Sequence, residues 1–366
     1  MRWFGFGFNA FGQICVRETP MKEEESDVTQ EVKVLRPTEL RTSRVSACWS
    51  RTASADPDGD GGVRLAGFGV GVSRACGVYG QQSRGCKDAQ ISESHLTLAF
   101  SDRVECWDLQ QEAKTASWSM ELKDSDISGP PVKLPLVPGG YITPSPPFYH
   151  SLSPHLEAKS LALGAEHAIL VTASGAVYTW GLGSHGQLGH GVLISEEEPR
   201  VVEALWGMPM SRVATGGWHS ACISDGGDLY VWGWNESGQL GLPSRGLSKA
   251  KQQQISQQAE EPQDEQKHED VFISIQAFPA LLDVTPSCEI TAVSCGSRHT
   301  AAVTSAGDLY TWGWGEYGQL GHQNVMSSDE PQRVEFFREQ QQRVTDIVCG
   351  AWNTFAAVIK KDVACA

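Results

Sequence analysis

Basic residues are scarce in this chain, and no run of them stands anywhere along it. The 366 residues hold 29 Lys and Arg against 44 Asp and Glu, a formal charge of −15 with a pI near 5.1. Affinity for nucleic-acid phosphates rests on clustered cations, so this balance argues against direct, sequence-specific nucleic-acid binding. Long apolar runs are also missing. No stretch approaches the ~20 residues that span a bilayer, so no membrane segment is expected. The opening MRWFGFGFNAFGQ is aromatic, but Gly, Asn and Gln break it too early for a signal-peptide core. The ten cysteines are scattered singly from Cys15 to Cys365 with no C-x-x-C, which reads as free thiols in a reducing compartment. The terminal KDVACA has its cysteine in the wrong place for a prenylation box. Neither G-x-S-x-G nor H-E-x-x-H occurs, and His185 and His190 flank a turn instead of sharing a helix face. The expectation is a soluble protein that is not an enzyme and holds no metal or cofactor.

What is present is a repeat. WGLGSHGQLG begins at Trp180, WGWNESGQLG at Trp232 and WGWGEYGQLG at Trp312, with a weaker FGFNAFGQIC at Phe6. The first copy contains GLGSHG, which spells G-x-G-x-x-G, but no helix follows to hold a pyrophosphate. The second copy has Asn235 at the middle glycine. Asn shares with Gly a tolerance for positive φ, so the stretch reads as a structural turn, with Gly186, Gly238 and Gly318 as its shared glycine. Each copy has a front half, opened by Gly164-x-x-His167, Gly216-x-x-His219 and Gly296-x-x-His299, with 13 residues from each His to the next Trp. Between them, runs such as SACISDGGDLYVW read as strand, tight hairpin, strand. A Pro-containing alternating run follows each GQLG. All-β units of about fifty residues repeated around an axis make a β-propeller.

The unit boundaries are 158–210, 211–288 and 289–341. The middle unit is longer, and the excess lies between Gly238 and Pro279. That insertion, 246–270, is charged and Gln-rich and is expected to be disordered. Residues 16–157 hold degenerate blades: ESHLTLAFSDRVECWD around His95 and Trp107, and ACWSRTASA with GGVRLAGFG. The chain end, 342–366, opens a unit at Gly350-x-x-Asn353 that never reaches its Trp, and residues 1–15 supply the missing back half. One blade is therefore closed by N- and C-terminal strands together. The count is six blades, and 108–157 is long enough for a seventh.

His167, His219 and His299 recur at one position, which favours a structural role, each ring hydrogen-bonding strands of its own blade. Asn353, a poor zinc ligand, points the same way. Trp180, Trp232 and Trp312 are expected in core or inter-blade packing, and Trp234 and Trp314, two residues on, likewise. Trp218 and Trp352 lie in glycine-rich turns, where a propeller exposes its loops, and are the candidates for a partner contact. The proline-rich Ser128–His150 has two readings. It is either a connector packed over degenerate blades or a pre-extended, polyproline-II-like peptide for a partner's groove, with Pro135–Leu136, Pro138 and Tyr141 as its contacts.

The pattern G-x-x-H-[ST]-x-x-[VIL]…G-x-[VL]-Y-x-W-G-x-[NG]-x-x-G-Q-L-G resembles the repeat of the regulator of chromosome condensation family. It covers about 158–359 with 1–15 clearly, and about 40–110 weakly. The resemblance implies a propeller, in most members seven-bladed. Spacing and small size are most similar to a member of that family that partners a JmjC oxygenase. By that resemblance the chain is a non-catalytic scaffold that binds and regulates a chromatin-associated JmjC oxygenase of the histone lysine demethylase type. Histones are a further partner, and the setting is the nucleus and chromosomes in division. The alternative is a guanine-nucleotide exchange factor, because the founding member acts on the Ran GTPase. A ubiquitin-ligase substrate receptor is a third reading, for which no appended domain is visible.

Overall fold

Seven antiparallel sheets succeed one another along the chain, in a computed structural model that describes residues 1–14, 33–40, 42–55, 62–67, 81–110, 115–123, 131–248, 271–285 and 288–360. Blade VII is built from both ends. It contains β1 (Arg2–Phe8) and β2 (Lys33–Leu40) from the start of the chain. Blade I is β3 (Arg44–Ala47), β4 (Arg51–Ala55) and β5 (Val63–Gly67); blade II is β6 (Asp88–Ile91), β7 (His95–Ala99), β8 (Arg103–Asp108) and β9 (Trp118–Glu121). Blade III is β10 (Leu136–Val137), β11 (Gly140–Ile142) and β12 (Tyr149–Ser151). Blade IV runs through β13 (Ala158–Leu163), β14 (His167–Thr172), β15 (Val177–Gly181) and β16 (Glu196–Val201). Blade V comprises β17 (Met210–Thr215), β18 (His219–Ser224), β19 (Leu229–Trp234) and β20 (Ile275–Leu282). Blade VI comprises β21 (Ile290–Cys295), β22 (His299–Thr304), β23 (Leu309–Gly313) and β24 (Ser328–Arg333), followed by the short helix α1 (Glu335–Glu339). Then β25 (Gln342–Cys349) and β26 (Asn353–Lys360) complete blade VII in the order β25-β26-β1-β2. The fold is a seven-bladed β-propeller.

Two expectations need amending. The seventh blade is blade III, and it lies in the proline-rich segment. Pro138-Gly139, with Gly139 at φ +76, forms the hairpin turn between β10 and β11, the Pro-then-Gly order of a type II turn. The segment is thus a sheet of the ring, neither a connector nor a free polyproline-II peptide. Residues 33–40 do not belong to the degenerate blades. They pair with β1 as the outer strand of blade VII, with Phe4 opposite Glu39 as Tyr178 is opposite Val201 in blade IV. Of the insertion placed at 246–270, residues 249–270 lie outside the described residues.

The first strands of neighbouring blades touch one another around the ring, β13 with β17, β17 with β21, β21 with β25 and β25 with β3, so they line the axis. In blades IV to VI the second strands, HAILVT, HSACIS and HTAAVT, are buried along their whole length. Burial on both faces explains why these strands read as apolar runs instead of alternating. The outer strands of blades IV to VII carry one proline each at a matching register, Pro199, Pro331 and Pro37 in polar strands and Pro279 in the less polar β20. An edge strand tolerates a missing N–H, and proline there discourages pairing with another chain. Because strands alternate in direction, the first-to-second turns and the third-to-fourth loops emerge on one face, here termed the turn face. Hairpins and blade-to-blade crossings emerge on the other, the hairpin face.

Candidate protein-interaction face

The G-x-x-H turns interlock before anything is displayed on them. Gly217 N donates to Gly296 O at 3.2 Å, and Ser297 N to Ala351 O at 2.9 Å, so successive turns bond around the axis. A Cβ on Gly216 would lie 2.4 Å from Gly296 O and 2.2 Å from the His219 ring, which is why glycine opens the motif.

The histidines link blades, not strands within one blade. His167 Nε2 meets Ser220 Oγ at 2.8 Å, His219 Nε2 meets Thr300 Oγ1 at 2.9 Å, and His299 Nε2 meets Thr354 Oγ1 at 2.9 Å. Each hydroxyl sits on the following blade, one residue after that blade's own His or Asn. Each hydroxyl donates its one proton to the carbonyl of Gln187, Gln239 or Gln319, at 2.7 to 2.8 Å. It can then only accept from the ring, which fixes the imidazoles as neutral Nε2–H tautomers. Burial pushes them far down, His167 to about 4 and His219 and His299 to about 3. The own-blade expectation is overturned because the ring reaches past its strand into the next sheet.

The same glutamine carbonyls anchor tryptophans. Trp232 Nε1 donates to Gln187 O at 2.8 Å and Trp312 Nε1 to Gln239 O at 3.0 Å. Both rings are fully buried. Trp180 has no such loop before it and donates instead to the Tyr141 hydroxyl at 3.2 Å. Gly186, Gly238 and Gly318 take φ of +71, +74 and +80, so each copy of the turn is left-handed there. The middle position is different: Asn235 and its counterparts Gly183 and Gly315 have no positive φ. Asn235 serves through its side chain, accepting from Leu240 N at Oδ1 and donating to Leu242 O and Ile273 O from Nδ2.

On this frame the turn face carries a belt of aromatic rings. Trp218 and Trp234 of blade V stand 5.4 Å apart, nearly perpendicular, each 5.7 Å from His185 of blade IV. Trp218 Nε1 donates to the Glu166 carboxylate at 3.1 Å, and the Arg298 guanidinium lies 4.8 Å over the Trp234 ring. In the next sector Trp352 and Tyr317 each lie 4.8 Å from Trp314. From Tyr317 the belt passes to Phe8 at 4.7 Å, Phe11 at 5.7 Å and the exposed Trp49 at 5.6 Å. The tryptophans and Tyr317 are half-buried between rim and solvent, apart from Trp49.

Trp218 and Trp352 therefore lie on the exposed belt. Tyr141 does not: it is buried between Trp180 and the stacked His150 ring, and Pro135 is buried too. Leu136 packs on that cluster and Pro138 is half-buried in its turn, so these four are blade III interior or hinge positions, not a peptide offered to a partner. The sequence reading missed Trp234, Trp314, Tyr317 and Arg298 as belt members. Trp234 was expected on the same side as the buried Trp232, but the β19–β20 register shifts between Val231 and Gly233, with the extra residues on β20, and Gly233 takes φ +110. The W-G-W spacing, with a glycine in a strand, was the available signal.

Among the described residues no group of three or more His, Cys, Asp or Glu converges on a metal position. What the belt offers is aromatic area with charges of both signs, the composition that dominates protein–protein hot spots.

Comparison with known proteins matches a family model described as the regulator of chromosome condensation (RCC1) repeat over residues 174–223, 226–303 and 306–357. A second model of that repeat matches 158–187, 211–239 and 290–319. The chain is 41% identical to human RCC1 domain-containing protein 1, over 98% of this chain and 97% of the relative. The mouse protein of that description is 41% identical over the same shares. In three dimensions the chain is similar to Saccharomyces cerevisiae Prp20p, with a TM-score of 0.67 and 16% identity, covering 99% of this chain and 92% of that one.

Proposed function

The chain belongs to the regulator of chromosome condensation repeat family, and from that premise we propose that it is a non-catalytic scaffold whose turn face receives a protein partner. The observation that carries the proposal is the belt from His185 through Trp218 and Trp234 to Trp314, Trp352 and Trp49, held half-exposed across neighbouring blades. A ring closed by pairing of β1 with β26 and braced by buried latches presents those side chains already ordered, which lowers the entropic cost of association.

The partner we propose is a chromatin-associated JmjC oxygenase of the histone lysine demethylase type, bound and regulated in the nucleus and on dividing chromosomes. That partner comes from the resemblance within the family. The charge of −15 suits a basic partner surface and is consistent with histone tails as additional ligands. A second reading, an exchange factor for a Ran-type GTPase, draws on the fold likeness to Prp20p, which binds Gsp1p and histones.

The test is recovery of tagged full-length protein from dividing-cell nuclear extract, followed by titration with the purified oxygenase. Stoichiometric oxygenase, with binding weakened in Trp218→Ala and Trp352→Ala, supports the scaffold. A nucleotide-free GTPase as the main catch, indifferent to the oxygenase, replaces it with the exchange-factor reading.

A further inference from the structure

The hairpin face holds a second, separate feature. After β16 the chain crosses to β17 through a single 3-10 turn (Glu203–Leu205), and this leaves Trp206 79% and Met208 36% exposed. Blade VI makes the matching crossing with α1, which buries Phe336 and Phe337. Register fixes the match: Val202 N donates to Val177 O as Val334 N does to Leu309 O, and Met210 N to Gly175 O as Val344 N does to Gly307 O. The blade IV crossing, 203–209, is shorter than 335–343 and has Ala204 where blade VI has Phe336.

Beside Trp206 lies a cavity of about 470 Å³, with Val177, Val202 and Leu205 among its lining and Pro209 at its edge. That is within the ~300–1,000 Å³ of sites that take an anchoring side chain or small ligand. Its surroundings are acidic and exposed. Glu203 belongs to the crossing itself, Asp225 N donates to Pro209 O, and Glu157 O accepts from Ala173 N next to the lining residue Ser174. Arg200, beside the lining residue Val201, is paired with Glu196.

We infer that this groove docks an extended segment of a protein partner, one apolar anchor side chain flanked by Lys or Arg. The anchor fills the cavity and is covered by Trp206, a rigid aromatic that loses little entropy on contact. The flanking cations meet Glu157, Glu203 and Asp225, and one of them can lie over the indole face. The site is on the face opposite the aromatic belt and does not depend on what the belt binds.

The experiment uses the full chain and a fluorescein-labelled dodecapeptide with one Phe between pairs of Arg and Lys, beside a counterpart with Glu at each basic position. The basic peptide should bind at least about tenfold more tightly, with the gap narrowing at high salt. Trp206→Ala and Glu203→Lys should each weaken it about tenfold at unchanged melting temperature, since both side chains are exposed, while Trp218→Ala leaves it intact. Amide exchange should slow over 203–209. Equal binding of the two peptides, or indifference to Trp206→Ala, overturns the inference. So does self-association by sedimentation that Trp206→Ala abolishes, because the occupant would then be a second copy. If Trp206→Ala lowers the melting temperature, Asp225→Lys decides in its place, and no effect there also overturns it.

Discussion

His219 of blade V and Thr300 of blade VI meet at 2.9 Å with both side chains fully buried, and the Thr300 hydroxyl passes its own proton to Gln239 O back on blade V. Two adjacent sheets are thereby joined by side chains that have no water to fall back on. Apolar packing between blades is non-directional, whereas this chain of hydrogen bonds fixes the angle between one blade and the next.

Thr300→Val keeps the shape and removes the hydroxyl, stranding the His219 Nε2–H in the interior. A loss of about 1–3 kcal/mol is expected in urea unfolding. Blade I supplies the control. Thr52 stands at the same register, opposite Ala66 as Thr300 is opposite Trp312, but its buried hydroxyl has no hydrogen-bond partner. Asn353 stands where the preceding blade would need its histidine, and it donates within its own blade to Phe8 O. Thr52→Val should therefore be neutral or slightly stabilising. Equal losses at the two sites would mean that the hydroxyls matter through packing alone.

Acid should loosen the ring through the same residues. Burial holds His167 at about 4 and His219 and His299 at about 3, whereas an unfolded chain takes up protons near the ordinary value of about 6.5. Between those limits the unfolded state binds more protons, so stability falls as pH falls, and it is flat above about pH 7 as far as these groups decide. Each imidazole contributes a slope of up to about 1.4 kcal/mol per pH unit. Unfolding midpoints measured from pH 7.5 to 5 should drop, and His219→Gln should make the slope shallower without abolishing it, because burial lowers His190 and His322 as well. An unchanged slope in that variant would assign the acid sensitivity elsewhere.

Two glycines in blade V should respond oppositely to alanine. Gly216 has no room: its Cβ would meet the Gly296 carbonyl and the His219 ring, both fixed by the latch. Gly216→Ala is expected to cost about 3 kcal/mol or more. At Gly226 the nearest atom to a Cβ is Ser224 Oγ at 3.6 Å and the backbone is ordinary, so Gly226→Ala should gain about 0.4–1 kcal/mol by restricting the unfolded chain. Thermal melts of the two single variants decide it.

Blades IV to VI were legible because their turns need particular residues: glycine where Gly216 approaches Gly296, a left-handed glycine at Gly186, Gly238 and Gly318. Blade III was hidden because it lacks all of these. Its Trp-binding partner is Tyr141, and its turn is a Pro-Gly pair that also suits an extended segment. The direction of the histidine latch was not readable, since Ser220 lies 53 residues from His167 and nothing local says which neighbouring sheet a ring will reach. β2 did carry a signal that went unused: Pro37 sits two residues before Glu39, as Pro199 sits two before Val201. The belt was half legible. Trp218 and Trp352 stood out in loops, but the side taken by Trp234 depends on a bulge that only pairing reveals.

Closure of the ring gives the remaining prediction. β1 lies between β26 and β2 and brings Trp3, Phe4 and Phe6 into the core, so it is an interior strand of blade VII although it starts the chain. A chain beginning at Thr42 would leave β26 with a bare edge and lose four buried aromatics, Trp3, Phe4, Phe6 and Phe8, each worth ~3–5 kcal/mol. It should show no cooperative melting transition. The deleted strands can be returned from the other end. Arg2 pairs with Val358 in an antiparallel register, so a hairpin of two to four residues can carry the chain from Lys360 directly into β1. Residues 42–360, such a turn, then 2–40 should melt cooperatively within a few degrees of the natural order, because every pairing in blade VII is kept. If the truncated chain melts like the intact one, blade VII is dispensable and the ring is held by its other interfaces. If the permuted chain fails while the intact one folds, the order of synthesis matters as well as the final contacts.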